Sequence, residues 1–228
     1  MQTRVRIALG GVLLMVAAVY ALRFLLSGGA PVRIDSVVMS WFVGIRTPAL
    51  TTATTYLTVL FGPWAVALWA GITGLTFYVH DGTLRRSATL LSTVVAAAVL
   101  CEVMKLVVAR PRPPVTDQLG VIETTYSFPS GHVTGTAALA FAIAALTAGR
   151  MHRRGAIATW IGAAIVVLTA SATRLYLGAH WITDVMAAVC VAGACALVVL
   201  PAADTVADRR HSFLHRVHTH GQRSHFGS

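Results

Sequence analysis

Apolar residues gather along this chain in six long runs, over 7–26, 56–79, 87–108, 131–149, 155–174 and 181–201. Each is close to the roughly 20 residues that a helix needs to cross a bilayer. The polar stretches between them are short, with one exception. Pro31 to Thr55 is too polar to span, yet "IDSVVMSWFVGI" (Ile34 to Ile45) within it is amphipathic and carries Trp41 and Phe42. Such a segment suits a helix lying in the membrane interface. Gly62-Pro63 should kink the start of the second run, the freed carbonyl being satisfied by neighbouring helices. The pattern predicts an all-α polytopic membrane protein: six transmembrane helices, with an interfacial helix between the first two. Residues 1–205 form the membrane domain, and 206–228 a basic, disordered tail.

Composition strengthens this reading. Of 228 residues, 56% are apolar and 11% charged, against about 25% charged in soluble domains. Six spans leave no room for a second soluble domain. The first run is too long for a signal peptide and nothing soluble follows it, so it reads as the first span.

The net charge of +10 would suggest nucleic acid in a soluble protein. Here the basic residues sit at span ends, so they report topology and anionic lipid instead. Arg4 and Arg6, Arg85 and Arg86, Arg150, Arg153 and Arg154, and the tail arginines all fall on one side of a six-span chain. By the positive-inside rule that side, with both termini, is cytoplasmic, and the cell membrane is the expected location. Segments 27–55, 109–130 and 175–180 then lie outside.

The cysteines, Cys101, Cys190 and Cys195, lie in apolar runs with no CxxC pair, and read as small packing residues. His215, His218 and His220 sit in the tail with no carboxylate or cysteine beside them. They make a poor metal site and a reasonable part of a basic tail near headgroups. No metal or cofactor is expected.

Polar residues inside or at the mouth of spans need a reason. In the third run Glu102 and Lys105 are three apart and share a helix face. "RPRPP", Arg110 to Pro114, ends that helix and stiffens the outer loop, holding Arg110 and Arg112 near the surface close to Lys105. The stretch "YSFPSGHV", Tyr126 to Val133, then opens the fourth run. Ser130 suits a helix N-cap and Gly131 permits close approach of the backbone to a ligand. The free N–H groups of the first turn form an anion seat, with His132 in that turn. "TRLYLGAHWITDV", Thr173 to Val185, places Arg174 and His180 at the outer side, with Asp184 one helical turn beyond His180. A carboxylate there can hold one imidazole nitrogen and leave the other basic. Topology alone therefore gathers three cations, a helix N-terminus and two histidines on one face. Cations with free N–H groups suit phosphate, and two histidines suit a nucleophile and a general acid. Which histidine attacks is open at this level.

Lys105-x6-Arg112-Pro113, Pro129-Ser130-Gly131-His132 and Arg174-x5-His180-x3-Asp184 together resemble the three-part signature of the type 2 phosphatidic acid phosphatase (PAP2) superfamily. Each piece is weak alone; their order, spacing and common face make the resemblance specific. It covers the six-span layout loosely and leaves out the tail. Thr173 departs from the serine usual before the arginine, but keeps a hydroxyl. The resemblance implies that His180 attacks phosphorus to give a phosphohistidine, Asp184 orients His180, and His132 protonates the leaving oxygen. It assigns Lys105, Arg112, Ser130, Gly131 and Arg174 to the phosphoryl oxygens. The implied activity is a metal-independent lipid phosphatase of the bacterial branch, without a cofactor or nucleic-acid partner, acting on an anionic lipid phosphate. Undecaprenyl or decaprenyl diphosphate is favoured, because carrier recycling needs an outward-facing enzyme; phosphatidylglycerol phosphate and phosphatidic acid are alternatives. A phosphotransferase would share the intermediate and differ only in its acceptor pocket. A haloperoxidase of the same pocket need not be membrane-embedded, and a non-catalytic lipid binder would not need both histidines and the acid.

Overall fold

The computed structural model describes residues 2–120 and 122–199. Among the described residues eight α-helices follow one another: α1 Gln2–Leu26, α2 Arg33–Gly44, α3 Pro48–Val59, α4 Pro63–Asp81, α5 Arg85–Val108, α6 Gly131–Ala148, α7 Arg153–Tyr176 and α8 Ile182–Val199. The expected tail, 206–228, lies outside the described residues. Five helices (α1, α5, α6, α7 and α8) are each long and apolar enough to cross a membrane, and α3 with α4 makes a sixth span if the bent pair is counted as one. The expected six-span count stands in that form.

The second span needs a correction. It does not begin at residue 56: α3 begins at Pro48, where Thr47 accepts a hydrogen bond from the Leu50 N–H at 3.3 Å. The chain then breaks at Leu60–Gly62 and turns by 51° into α4. A run of Thr and Ala hides α3 from a hydropathy reading. The proline at Pro63 has no N–H to donate, so it starts a helix well and continues one badly. The short helix α2 occupies the place expected for the interfacial helix. It buries Asp35 and Met39 and leaves Ile34, Val37 and Trp41 exposed.

Small side chains decide which helices sit inside. Facing apolar lipid, helices gain little from burying bulk, and closeness of approach matters more. α6 and α8 supply that closeness: Ala137, Ala138, Ala142, Ala187, Ala188 and Ala192 are all fully buried. α6 is the hub, packed on α5 and α7. Its lower half meets Val66, Ala70 and Leu90, and its middle meets Ala97, Val167 and Ala192. Cys101 and Cys195 are buried and free, as packing residues would be. At the arginine-rich end Asp81 binds Arg86 at 3.1 Å and Arg150 at 2.8 Å, tying α4, α5 and the α6–α7 turn together.

Candidate active site

The site lies at the opposite end, where α5 stops and α6 and α8 begin. Lys105 stands in the last turn of α5 and pairs with Glu102 at 2.9 Å, on the shared face that their spacing predicts. The helix ends at Ala109 in the left-handed conformation (φ 47°), and the chain turns into "RPRPP".

The two arginines of that stretch separate. Arg110 does not stay near the surface as expected; it is fully buried. Its guanidinium lies 3.7 Å from the centre of the Phe24 ring, binds Asp35 at 2.7 Å, donates to Thr183 at 2.8 Å and makes a very short contact with Asp184. Asp35 also accepts from the Thr183 N–H and hydroxyl at 3.1 and 2.8 Å, so α2, the loop and α8 are joined by one charged network. Gly29 admits this arrangement, because a Cβ there would lie 2.4 Å from Pro111 Cδ, at a φ of +79°.

Arg112 turns the other way. It donates to the carbonyls of Thr125 and Ala179, both at 2.7 Å, and to the Thr125 hydroxyl at 2.9 Å. Its Nη1 stands 3.1 Å from His180 Nε2. A guanidinium only donates, so Nε2 is the accepting nitrogen and Nδ1 carries the proton. That proton goes to the Ser127 carbonyl at 2.8 Å.

Here one expectation is corrected. Asp184 is not the hydrogen-bond partner of His180. Its Oδ2 is 3.5 Å from Nδ1 and instead accepts the Trp181 N–H at 2.9 Å, while its Oδ1 meets Arg110. Both oxygens are engaged elsewhere, and the Ser127 carbonyl is nearer. Asp184 remains a near neighbour of His180. His180 is buried, and that burial, with the nearby charges of Arg112 and Arg174, holds its imidazole well below the usual range. His180 is neutral near pH 7.

The start of α6 forms the floor. Ser130 occupies the N-cap position, but its side chain does not cap: its Oγ is buried with no hydrogen-bond partner. Gly131 is explained by its neighbour, since a Cβ there would come within 3.2 Å of Lys105 Nζ. His132 points to the break between α3 and α4, its Nε2 3.6 Å from where a Gly62 Cβ would be. Arg174 closes the ring. It donates to the Thr58 hydroxyl at 3.1 Å, and Thr173 bonds the same hydroxyl at 3.3 Å. His180 feels the charges of Arg112, Arg174, His132 and Lys105 together, so these four side chains lie near it.

Glu123 was not singled out from the sequence. Its Oε2 binds Arg112 at 2.6 Å and its Oε1 is in very close contact with Arg174. Burial opposes its charge, but Arg174 and Arg112 outweigh that and hold the carboxyl below its usual value. A signal existed: Glu123 is the sole acidic residue between Asp117 and Asp184. The Ser127 carbonyl and the Thr58 hydroxyl had no such signal, being a backbone atom and an ordinary threonine.

The model of the PAP2 superfamily matches residues 86–208, more than half of the chain. Among solved structures, a transmembrane PAP2-type phosphatidylglycerolphosphate phosphatase from Bacillus subtilis is similar with a TM-score of 0.72 at 23% identity, covering 88% of this chain and 96% of its own. LpxE from Aquifex aeolicus is similar with a TM-score of 0.57 at 16% identity, covering 75% of this chain and 96% of its own. No curated protein matches the chain. With the matched segment covering more than half of the chain and containing the whole signature, the chain belongs to the PAP2 superfamily, as a polytopic membrane phosphatase.

Proposed function

We propose that this protein hydrolyses phosphate or diphosphate esters of membrane lipids on the extracytoplasmic face, through a phosphohistidine on His180. The observation that carries the reading is the state of His180: neutral, with Nδ1 tied to a backbone carbonyl and Nε2 presented beside Arg112. A nucleophile needs an unprotonated nitrogen, and the Nε2 lone pair must leave its hydrogen bond from Arg112 to reach phosphorus. Nε2 attacks phosphorus and forms a P–N bond as the bond to the lipid oxygen breaks. His132 gives its proton to that departing oxygen. Water then attacks the phosphohistidine, passes a proton back to His132, and breaks the P–N bond to release inorganic phosphate. Lys105, Arg112, Arg174, the Ser130 hydroxyl and the Gly131 N–H face the oxygens on which charge builds. These fixed cations supply the charge neutralisation, so the reading is metal-independent. Asp184 supports the imidazolium-like charge on His180 at 3.5 Å.

A lipid substrate is supported by a second feature. An apolar cavity of about 540 Å³ runs between α4, α6 and α7, lined by Leu60, Phe61, Val66, Leu139 and Val166 among others. Leu60 and Phe61 flank Gly62, which abuts His132. A lipid chain can lie there with its phosphate in the cation ring.

Among lipids we favour a polyprenyl diphosphate, with phosphatidylglycerol phosphate, which the similar Bacillus subtilis protein is described as dephosphorylating, and phosphatidic acid as the alternatives. Phosphate release by the purified protein in detergent with EDTA, from all three lipids and with His180→Ala as control, tests this. Release that survives EDTA and vanishes in the variant is the expected result, and the rates rank the substrates. Absence of release from folded protein sinks the phosphatase reading.

A further inference from the structure

We propose that Glu123 is a tethered anion that occupies the phosphoryl seat between turnovers, leaves when a phosphoryl group enters, and returns to expel inorganic phosphate. This rests on the reading of the cation ring as that seat.

The geometry points this way on three counts. First, the two carboxylate oxygens divide between the two arginines, Oε2 to Arg112 at 2.6 Å and Oε1 to Arg174. Two oxygens of a phosphoryl group would make the same pairings. Second, the arginines are fixed and the acid is the movable partner. The Arg112 and Arg174 side chains are 6% and 5% exposed. Arg112 is anchored by Thr125 and Ala179, and Arg174 by Thr58. Glu123 is 25% exposed and comes from the loop before α6, outside any helix. The buried acid Asp35 contrasts with it, held by backbone and hydroxyl donors as well as by Arg110. Third, a carboxylate does not fill the seat. Arg174 Nε and Ser130 Oγ remain buried without partners. Buried polar groups left unpaired are costly. A phosphoryl group brings a third oxygen, so it can satisfy donors that Glu123 leaves empty and displace it.

The consequence is a uniform competition. A seat that is open for only a fraction of the time weakens every ligand by that fraction. A carboxylate in place nine-tenths of the time therefore weakens substrate and product about tenfold each. Equal effects on bound states change KM without accelerating the chemical step. The benefit falls at the end of the cycle. A ring of three cations built to stabilise the transition state would otherwise hold inorganic phosphate, and product release often limits turnover.

The test compares wild type, Glu123→Gln and Glu123→Ala, as full chains in detergent. Inorganic phosphate binding is read by titration calorimetry, which needs no turnover; KM, kcat and phosphate inhibition are read on dioctanoyl phosphatidic acid. Both variants should bind phosphate about tenfold more tightly. KM and the phosphate inhibition constant should fall together, kcat should not rise, and the melting temperature should stay within a few degrees. Unchanged or weaker phosphate binding in both variants overturns the proposal, whatever their melting temperatures. So does a fall in kcat with unchanged phosphate binding, which would place Glu123 in the chemistry of water attack. If wild type shows no His180-dependent release, the phosphatase reading fails by itself, and calorimetry still decides whether Glu123 competes for the anion.

Discussion

His180 is set up by a carbonyl rather than by an acid. With Nδ1–H given to Ser127 at 2.8 Å, the tautomer is fixed by backbone, and Asp184 stands farther off, at 3.5 Å. Asp184→Asn should therefore retain the correct tautomer and keep at least about tenfold more activity than His180→Ala, a comparison read as kcat/KM. Loss equal to that of His180→Ala would restore the acid as the orienting partner. The pH dependence has a definite sign. Burial first, then Arg112 and Arg174, depress the His180 value below its usual 6.5. The neutral imidazole, the proposed nucleophile, thus persists below pH 6.5 and is lost only as pH falls through the depressed value. The acid limb of kcat/KM for the free enzyme should lie below pH 6.5, and a limb at or above it would contradict the burial argument. Arg110 acts at the same scale but on stability. Removing it leaves Asp35 and Asp184 buried without their cation, and Arg110→Ala should cost about 3–5 kcal/mol in unfolding experiments in detergent.

Among the elements, the start of α6 does the most. It offers the free N–H groups of a helix N-terminus, an uncapped Ser130 hydroxyl, and a glycine that lets Lys105 come close. Gly131→Ala would put a methyl 3.2 Å from Lys105 Nζ. The lysine end is flexible and can give way, so the fold should survive while the cation is displaced. A loss of about ten- to a hundredfold in kcat/KM with an unchanged melting temperature is expected. The α7–α8 turn is the stiffer counterpart. Gly178 has φ +67°, and a Cβ there would lie 2.0 Å from the Asp117 carbonyl oxygen. That oxygen also accepts from Arg46 at 2.6 Å, which reaches the Tyr176 carbonyl as well. The outer loop is thus pinned to the turn that carries His180.

At the scale of the whole molecule, the two ends of the bundle differ in kind. One end gathers arginines around Asp81, and the other gathers Arg112, Arg174 and Lys105 around His180, the proposed phosphoryl seat. The orientation that follows from positive-inside reasoning puts the seat outside. Thr83→Cys and Val115→Cys mark the two ends, and both positions are exposed. In intact cells a membrane-impermeant maleimide should label Val115→Cys and reach Thr83→Cys only after permeabilisation. The reverse pattern would put the chemistry on the cytoplasmic side.

The sequence by itself determined the number of apolar runs, the end of the bundle at which chemistry could occur, and that Lys105, Arg112, His132 and Arg174 lie near His180. Each depends on local quantities: run length, charge at span ends, and helical spacing such as Glu102 to Lys105. The start of α3 was illegible because Thr and Ala carry little hydropathy signal, and the size of the turn at Gly62-Pro63 depends on what packs against it. Tertiary structure alone decided which of two neighbouring arginines faces the site and which is buried. It also decided that Ser127, not Asp184, holds the His180 proton, and that Glu123 bridges Arg112 and Arg174. Those three outcomes turn on distances between segments far apart in the chain. Spacing along a sequence can place a side chain on a face, but only packing sets which partner across that face is nearest.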